Sequence, residues 1–132
     1  MKNRLSEQRK GKGEMAVWPA DLPRLPHHKL KAYGAVRELL RGVLRADIDD
    51  IDLRNQAVRA AKSACCNTAE GAGKVSRRDK ARSFAIARAE AVEAAATTEL
   101  ATDCGHTSID AAVAVIVVAD RAVALLTGLI RR

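Results

Sequence analysis

No proline occurs between residues 27 and 132, although all three prolines of the chain crowd between Pro19 and Pro26. Proline breaks a helix interior by removing a donor and clashing with the preceding turn, so its absence leaves a long stretch open to helix. Across that stretch apolar residues recur at spacings of three and four, the period of one helix face. The side chains filling those positions are small: 26 of the 132 residues are alanine, and Trp18, Tyr33 and Phe84 are the only aromatics. Alanine costs least in a helix, whereas strands draw on aromatic and β-branched residues. The expected fold class is therefore all-α, in one domain with a modest core.

Four helices separate cleanly along the chain. The first runs from about His28 to Ala46, with Leu30, Tyr33, Val36, Leu40, Val43 and Leu44 on one face and Arg37, Arg41 and Arg45 as a stripe on another. The aspartates of "ADIDDID" suit the positive N-terminal end of the second helix. That helix carries Leu53, Ala57, Ala60, Ala64 and Thr68 on one face, and Gly71 and Gly73 read as its stop. Ser76 followed by Asp79 resembles a capping box that opens the third helix. It continues through Phe84, Ala87, Ala91, Ala94 and Thr98 to Cys104, with Gly105 as the C′ residue. Thr107 or Ser108 caps a fourth helix that runs to the end. Short connections make successive helices antiparallel, so the expected architecture is an up-down-up-down four-helix bundle over residues 29–132. Residues 1–28 form a charged, glycine- and proline-punctuated tail.

The fourth helix is apolar nearly all round, which calls for burial on several sides or for a membrane. Asp120 and Arg121 lie mid-segment, where a charge at the bilayer centre costs about 2.5–3.5 kcal/mol, so a membrane is not expected. The remaining reading is a second apolar face packed on another subunit. Alanine points the same way, because each alanine buries little area and a monomer built from it is marginal.

The chemistry that the chain excludes is also legible. Gly73-Lys74 supplies the GK of a phosphate-binding loop, but Thr68 and Val75 occupy its other diagnostic positions and a helix precedes it. Cys65, Cys66, Cys104, His27, His28 and His106 show no metal-ligand spacing, so no metal or other cofactor is expected. No Cys/His nucleophile pair gains an orienting third group, and no catalytic residue is assigned. Three cysteines cannot all pair; with no signal peptide apparent, this implies a reducing, cytoplasmic setting.

The net charge of +7 favours polyanion partners. Lys74, Arg77, Arg78, Lys80 and Arg82 crowd the turn into the third helix, where cations oppose the helix dipole and so do not serve that helix. With few aromatics interleaved, base stacking is not expected of this cluster. Asn67, Glu70, Arg88 and Glu93 are expected to form an interhelical polar network that fixes register.

"NTAEGAGKVSRRDKARSFAIARAEAVEA" resembles the signature of a bacterial four-helix-bundle family first recognised as products of intervening sequences in large-subunit ribosomal RNA genes. The matching positions are Asn67, Ala69, Glu70, Gly71, Gly73, Ser76, Phe84, Ala87, Arg88 and Glu93. A weaker likeness extends over residues 29–132. The chain departs from the pattern at Ala89-Glu90, where a small residue and serine are usual, and in the displacement of an arginine to Arg82. The resemblance implies an antiparallel bundle assembling as a ring, commonly a homopentamer, with no established enzymatic activity. A more distant group serves as the accessory protein of diversity-generating retroelements. The expectation is thus a non-enzymatic ring that binds RNA or DNA through residues 74–82, helped by Arg37, Arg41 and Arg45. The alternative is an interaction scaffold, or an accessory subunit of an enzyme such as a reverse transcriptase, meeting an acidic protein partner.

Overall fold

A computed structural model describes residues 9–132, so the part of the basic tail at residues 1–8 lies outside the described residues. Four helices form the body: α1 (Lys31–Arg45), α2 (Ile51–Gly73), α3 (Arg77–Asp103) and α4 (Ile109–Ile130), preceded by a 3-10 turn at Pro26–Lys29. There is no strand among the described residues. Each helix packs against two neighbours in the order α1, α2, α3, α4 and back to α1, while the diagonal α1–α3 contact is slight. The all-α four-helix bundle read from the sequence is the observed fold.

The helix starts obey local chemistry. Asp50, Ser76 and Ser108 each stand at an N-cap in extended conformation, their side-chain oxygens accepting from the amides of Leu53, Asp79 and Ala111 at 3.0, 3.1 and 3.1 Å. At the end of α3, Gly105 takes φ +80°, a left-handed conformation that glycine adopts without a Cβ clash. α1 begins three residues later than its apolar spacing suggests, because Pro26 starts a separate 3-10 turn and Leu30 is extended.

The core is built mostly of alanine. Ala57, Ala60, Ala61 and Ala64 of α2 face Ala87, Ala91 and Ala94 of α3 in one buried cluster. The larger fully buried side chains are few: Val36, Leu39 and Val43 on α1, Ile48 in the following loop, and Val115 and Leu126 on α4. The inward line of α1 therefore runs through Ala32, Ala35, Val36, Leu39 and Val43. Tyr33, Leu40 and Leu44 flank it half-buried, a small rotation from the face that spacing suggests.

The two loops at one end are latched together. His106 Nδ1 lies 2.6 Å from Asp49 Oδ1, the amide of Asp49 donates to the carbonyl of His106, and the Thr107 hydroxyl donates to the carbonyl of Ala46 at 2.6 Å. This joins the α1–α2 connection to the α3–α4 connection. Asp47 beside it adopts φ +47°, which the short polar side chain of aspartate tolerates better than most.

Helix α4 is, by length and composition, apolar enough to cross a membrane, yet only 22% of its most apolar window is buried within the chain. Ile109, Val113 and Val117 are 70, 52 and 63% exposed and follow one another at four-residue steps. On α3, Val92 and Leu100 are likewise exposed. Both helices therefore carry an inward alanine face and an outward apolar face that the described residues do not cover.

Candidate nucleic-acid interface

Antiparallel packing gathers the start of α1, the end of α2, the start of α3 and the end of α4 at one end of the bundle. Lys29, Lys31, Lys74, Arg77, Arg78, Lys80, Arg82, Arg131 and Arg132 belong to these segments, against the carboxylates of Glu70 and Asp79. The opposite end holds Asp47, Asp49, Asp50, Asp52, Asp103 and Asp110 with Arg45 and Arg54. The bundle is thus polarised along its axis, an arrangement that focuses anions on one end.

At the basic end a cleft of about 660 Å³ has an apolar floor of Leu30, Ala72, Phe84 and Leu129 and is ringed by Lys29, Arg77, Lys80 and Arg132. The cations of the α2–α3 turn differ in how they are held. Lys80 Nζ donates to the carbonyl of Ala72 at 2.9 Å and reaches that of Gly71 at 3.4 Å, so it caps the end of α2. Its opposition to the α3 dipole is offset by service to the neighbouring helix, a role invisible in sequence. Lys74 pairs with Glu70 at 3.5 Å, and Arg77 Nε donates to the carbonyl of Arg132. Arg78 and Arg82 are exposed and make no ion pair or side-chain hydrogen bond among the described residues.

Arg37, Arg41 and Arg45 do not join this surface. They run down α1 towards the acidic end, Lys31 and Arg45 being about 21 Å apart at 1.5 Å per residue. The Arg37 guanidinium lies 5.5 Å over the Tyr33 ring, and Gly13 of the N-terminal segment is buried against Arg41 and Arg45.

The expected network of Asn67, Glu70, Arg88 and Glu93 does not form within the chain. The Asn67 amide donates back to the carbonyl of Ser63 at 2.9 Å, and Glu70 takes Lys74. Arg88 Nε donates to the Thr127 hydroxyl at 2.8 Å, the one member that crosses to another helix. Glu93 meets Glu90 one turn earlier on its own helix; burial first, and then the Glu93 charge, raise the Glu90 carboxyl above its usual range, with Arg59 opposing. Sequence spacing placed these groups near one another but not their partners, which depend on helix rotation.

The glycine pair also has another meaning. α2 does end at Gly73, but neither glycine is left-handed, and the chain leaves the helix through an extended Lys74. Gly71 is buried, and a Cβ there would lie 2.7 Å from Phe84 Cε1 and 3.1 Å from Ser83 Cβ. Here the α2 backbone lies directly against the Phe84 ring of α3, a reason for glycine that has nothing to do with stopping a helix.

The cysteines divide by position. Cys66 and Cys104 are exposed, whereas Cys65 is half-buried and donates its thiol to the carbonyl of Val36 at 3.2 Å. Burial pushes the Cys65 thiol up to about 12 from 9.0, with Cys66 adding and Arg37 and Arg41 opposing. Its folded value exceeds its unfolded one, so this group's contribution to stability is complete below about pH 9 and is lost as pH rises towards 12. Thiol labelling at neutral pH should therefore modify Cys66 and Cys104 quickly and Cys65 only on unfolding, because the thiolate is the reactive form. Mass-mapped alkylation checks this, and equal labelling of all three would refute it. No cluster of metal-ligating side chains is present among the described residues.

Fold and surface together define a small, basic, axially polarised four-helix bundle bearing the Asn67–Glu93 signature across α2 and α3. The family model of the 23S rRNA-intervening sequence protein matches residues 30–128, and the chain belongs to that family. No curated relative matches it.

Proposed function

We propose that the protein is a non-enzymatic, cytoplasmic, ring-forming homo-oligomer, a pentamer by its family resemblance, that holds RNA or DNA phosphates at its basic end. The observation that carries this reading is the axial polarity, with unpartnered Arg78 and Arg82 at one pole and six aspartates at the other. Ring symmetry would repeat the basic pole around an axis and multiply its field. Arg37, Arg41 and Arg45 supply a secondary strip along α1 rather than part of the same patch. Binding of this kind is sequence-tolerant and salt-dependent, each duplex phosphate contact contributing a slope of about 0.9 in log K against log salt. The R78A/R82A variant should lower that slope by about 2 in a filter-binding series while thermal stability stays unchanged. Absence of binding even at low salt would sink the proposal.

A second reading is supported by the apolar floor beneath the cationic rim: a scaffold or accessory subunit that receives an acidic, apolar segment of another protein. Co-purification of one stoichiometric acidic protein, free of nucleic acid, would favour it.

A further inference from the structure

Beside the basic pole, the N-terminal segment folds back along α1. Gly13 seats against Arg41 and Arg45, and the chain then returns to the 3-10 turn that opens the helix. This brings Trp18 and Tyr33, two of the chain's three aromatics, to the lining of one cleft, although fifteen residues separate them in sequence. They share that cleft, of about 540 Å³, with His28, Arg24 and Arg37. That volume falls within the ~300–1,000 Å³ of small-ligand sites.

The cleft has a built character. Trp18 is 63% exposed, unusual for a large aromatic with an apolar neighbourhood within reach. The imidazoles of His27 and His28 lie 4.0 Å apart, tilted by 38°, and His27 meets the Tyr33 ring edge-on at 4.7 Å. His28 Nδ1 accepts from the amide of Leu25 at 2.9 Å, which puts the proton of the neutral ring on Nε2 as a free donor. Burial first, and then His28 and Arg37, lower the His27 imidazole from its ordinary value. Arg24 spends one donor on the carbonyl of His28, and Arg37 lies over Tyr33. A guanidinium carries five N–H donors, so both arginines keep donors for a phosphate.

We propose that this cleft, walled by Trp18, Tyr33 and His28 and flanked by Arg24 and Arg37, is a stacking site for an unpaired nucleobase of single-stranded RNA or DNA. Exposed aromatic faces beside cations are the combination that single-strand binders use, because every base has a π-face and every link a charge. The expectation against base stacking concerned the 74–82 cluster, none of whose residues lines this cleft. Trp18, Arg24 and His28 lie outside the family match at residues 30–128, so the site is a feature of this chain's N-terminal segment.

The inference rests on the nucleic-acid reading but on a second cleft, which adjoins the basic-end cleft at Leu30, and Trp18 is the only tryptophan and hence its own reporter. Titration with an oligothymidylate should quench tryptophan emission, while a blunt duplex and inorganic polyphosphate should not. Trp18→Ala should weaken oligothymidylate binding roughly 5- to 150-fold and leave duplex and polyphosphate binding unchanged, with Trp18→Phe restoring part of the loss. Oligothymidylate binding that neither quenches Trp18 nor weakens in the alanine variant overturns this site and leaves the basic pole standing. Failure of every polyanion to bind overturns both. Trp18 emission already shielded from acrylamide in the free protein, and indifferent to oligothymidylate, would assign the cleft to a contact between copies and overturn the proposal.

Discussion

Replacing Phe84 with alanine should lower the free energy of unfolding by about 3–5 kcal/mol, a large share of the ~5–15 kcal/mol available to a small domain. The ring is 4% exposed and is the one aromatic in a core whose other α2 and α3 positions are mostly alanine. On one side the ring meets alanines that cannot fill the void, and on the other it shares the cleft floor with Leu30 and Leu129, which can close over it only in part. Gly71 supplies the reciprocal test. A methyl group there would meet Phe84 Cε1 at 2.7 Å and Cδ1 at 2.8 Å, well inside contact distance. Overpacking of this kind costs about 1–3 kcal/mol, from which roughly 1 kcal/mol of improved helix propensity must be subtracted. Gly71→Val loses most of that compensation and should be worse than Gly71→Ala. Combining Gly71→Ala with Phe84→Leu should recover stability relative to the sum of the single changes, which urea unfolding of the four proteins would measure as a coupling energy. Additive effects would show that the two residues do not share the space described here.

Val113→Lys and Val117→Lys should each dissociate the proposed oligomer without unfolding the protomer. Both side chains are more than half exposed in the isolated chain, so lysine there costs the monomer little. Across an apolar contact between copies the same lysine would be an unpaired buried charge, costing about 3–5 kcal/mol. That corresponds to a rise of roughly 10²- to 4 × 10³-fold in the dissociation constant for each substitution. Light scattering would report the change in mass and circular dichroism the intact helices. A wild-type protein that is already a stable monomer, or lysine variants that keep the assembled mass, would refute the proposed interface.

What could be read from the chain beforehand was whatever neighbouring residues settle among themselves. Ser76 and Ser108 at helix starts, Gly105 at a helix end and the spacing of Ala87, Ala91 and Ala94 are local choices, made within one or two turns. The basic cluster at residues 74–82 was legible as charge, but not the division of labour inside it. Lys80 caps α2 because an antiparallel neighbour happens to end beside it, and only that placement leaves Arg78 and Arg82 as the unpartnered cations. Period alone also fixes a helix face only to within about one residue. It put Leu40 and Leu44 inward on α1, whereas packing turns Leu39 fully in and leaves the other two at the flank.

By itself, then, the sequence determined an all-α chain of four helices, three of them opened by a side-chain cap, with alanine faces that pack closely and a surplus of positive charge. Propensity, capping and periodicity act over a few residues and need no knowledge of the rest of the molecule. The tertiary structure alone decided that Gly71 is a seat for Phe84 rather than a stop. It also decided that Arg88 finds Thr127 instead of Glu93, and that Trp18 lines one cleft with Tyr33 and Arg37. Those outcomes depend on the rotation and register of whole helices and on where a tail docks, which are set by contacts between residues far apart in the chain.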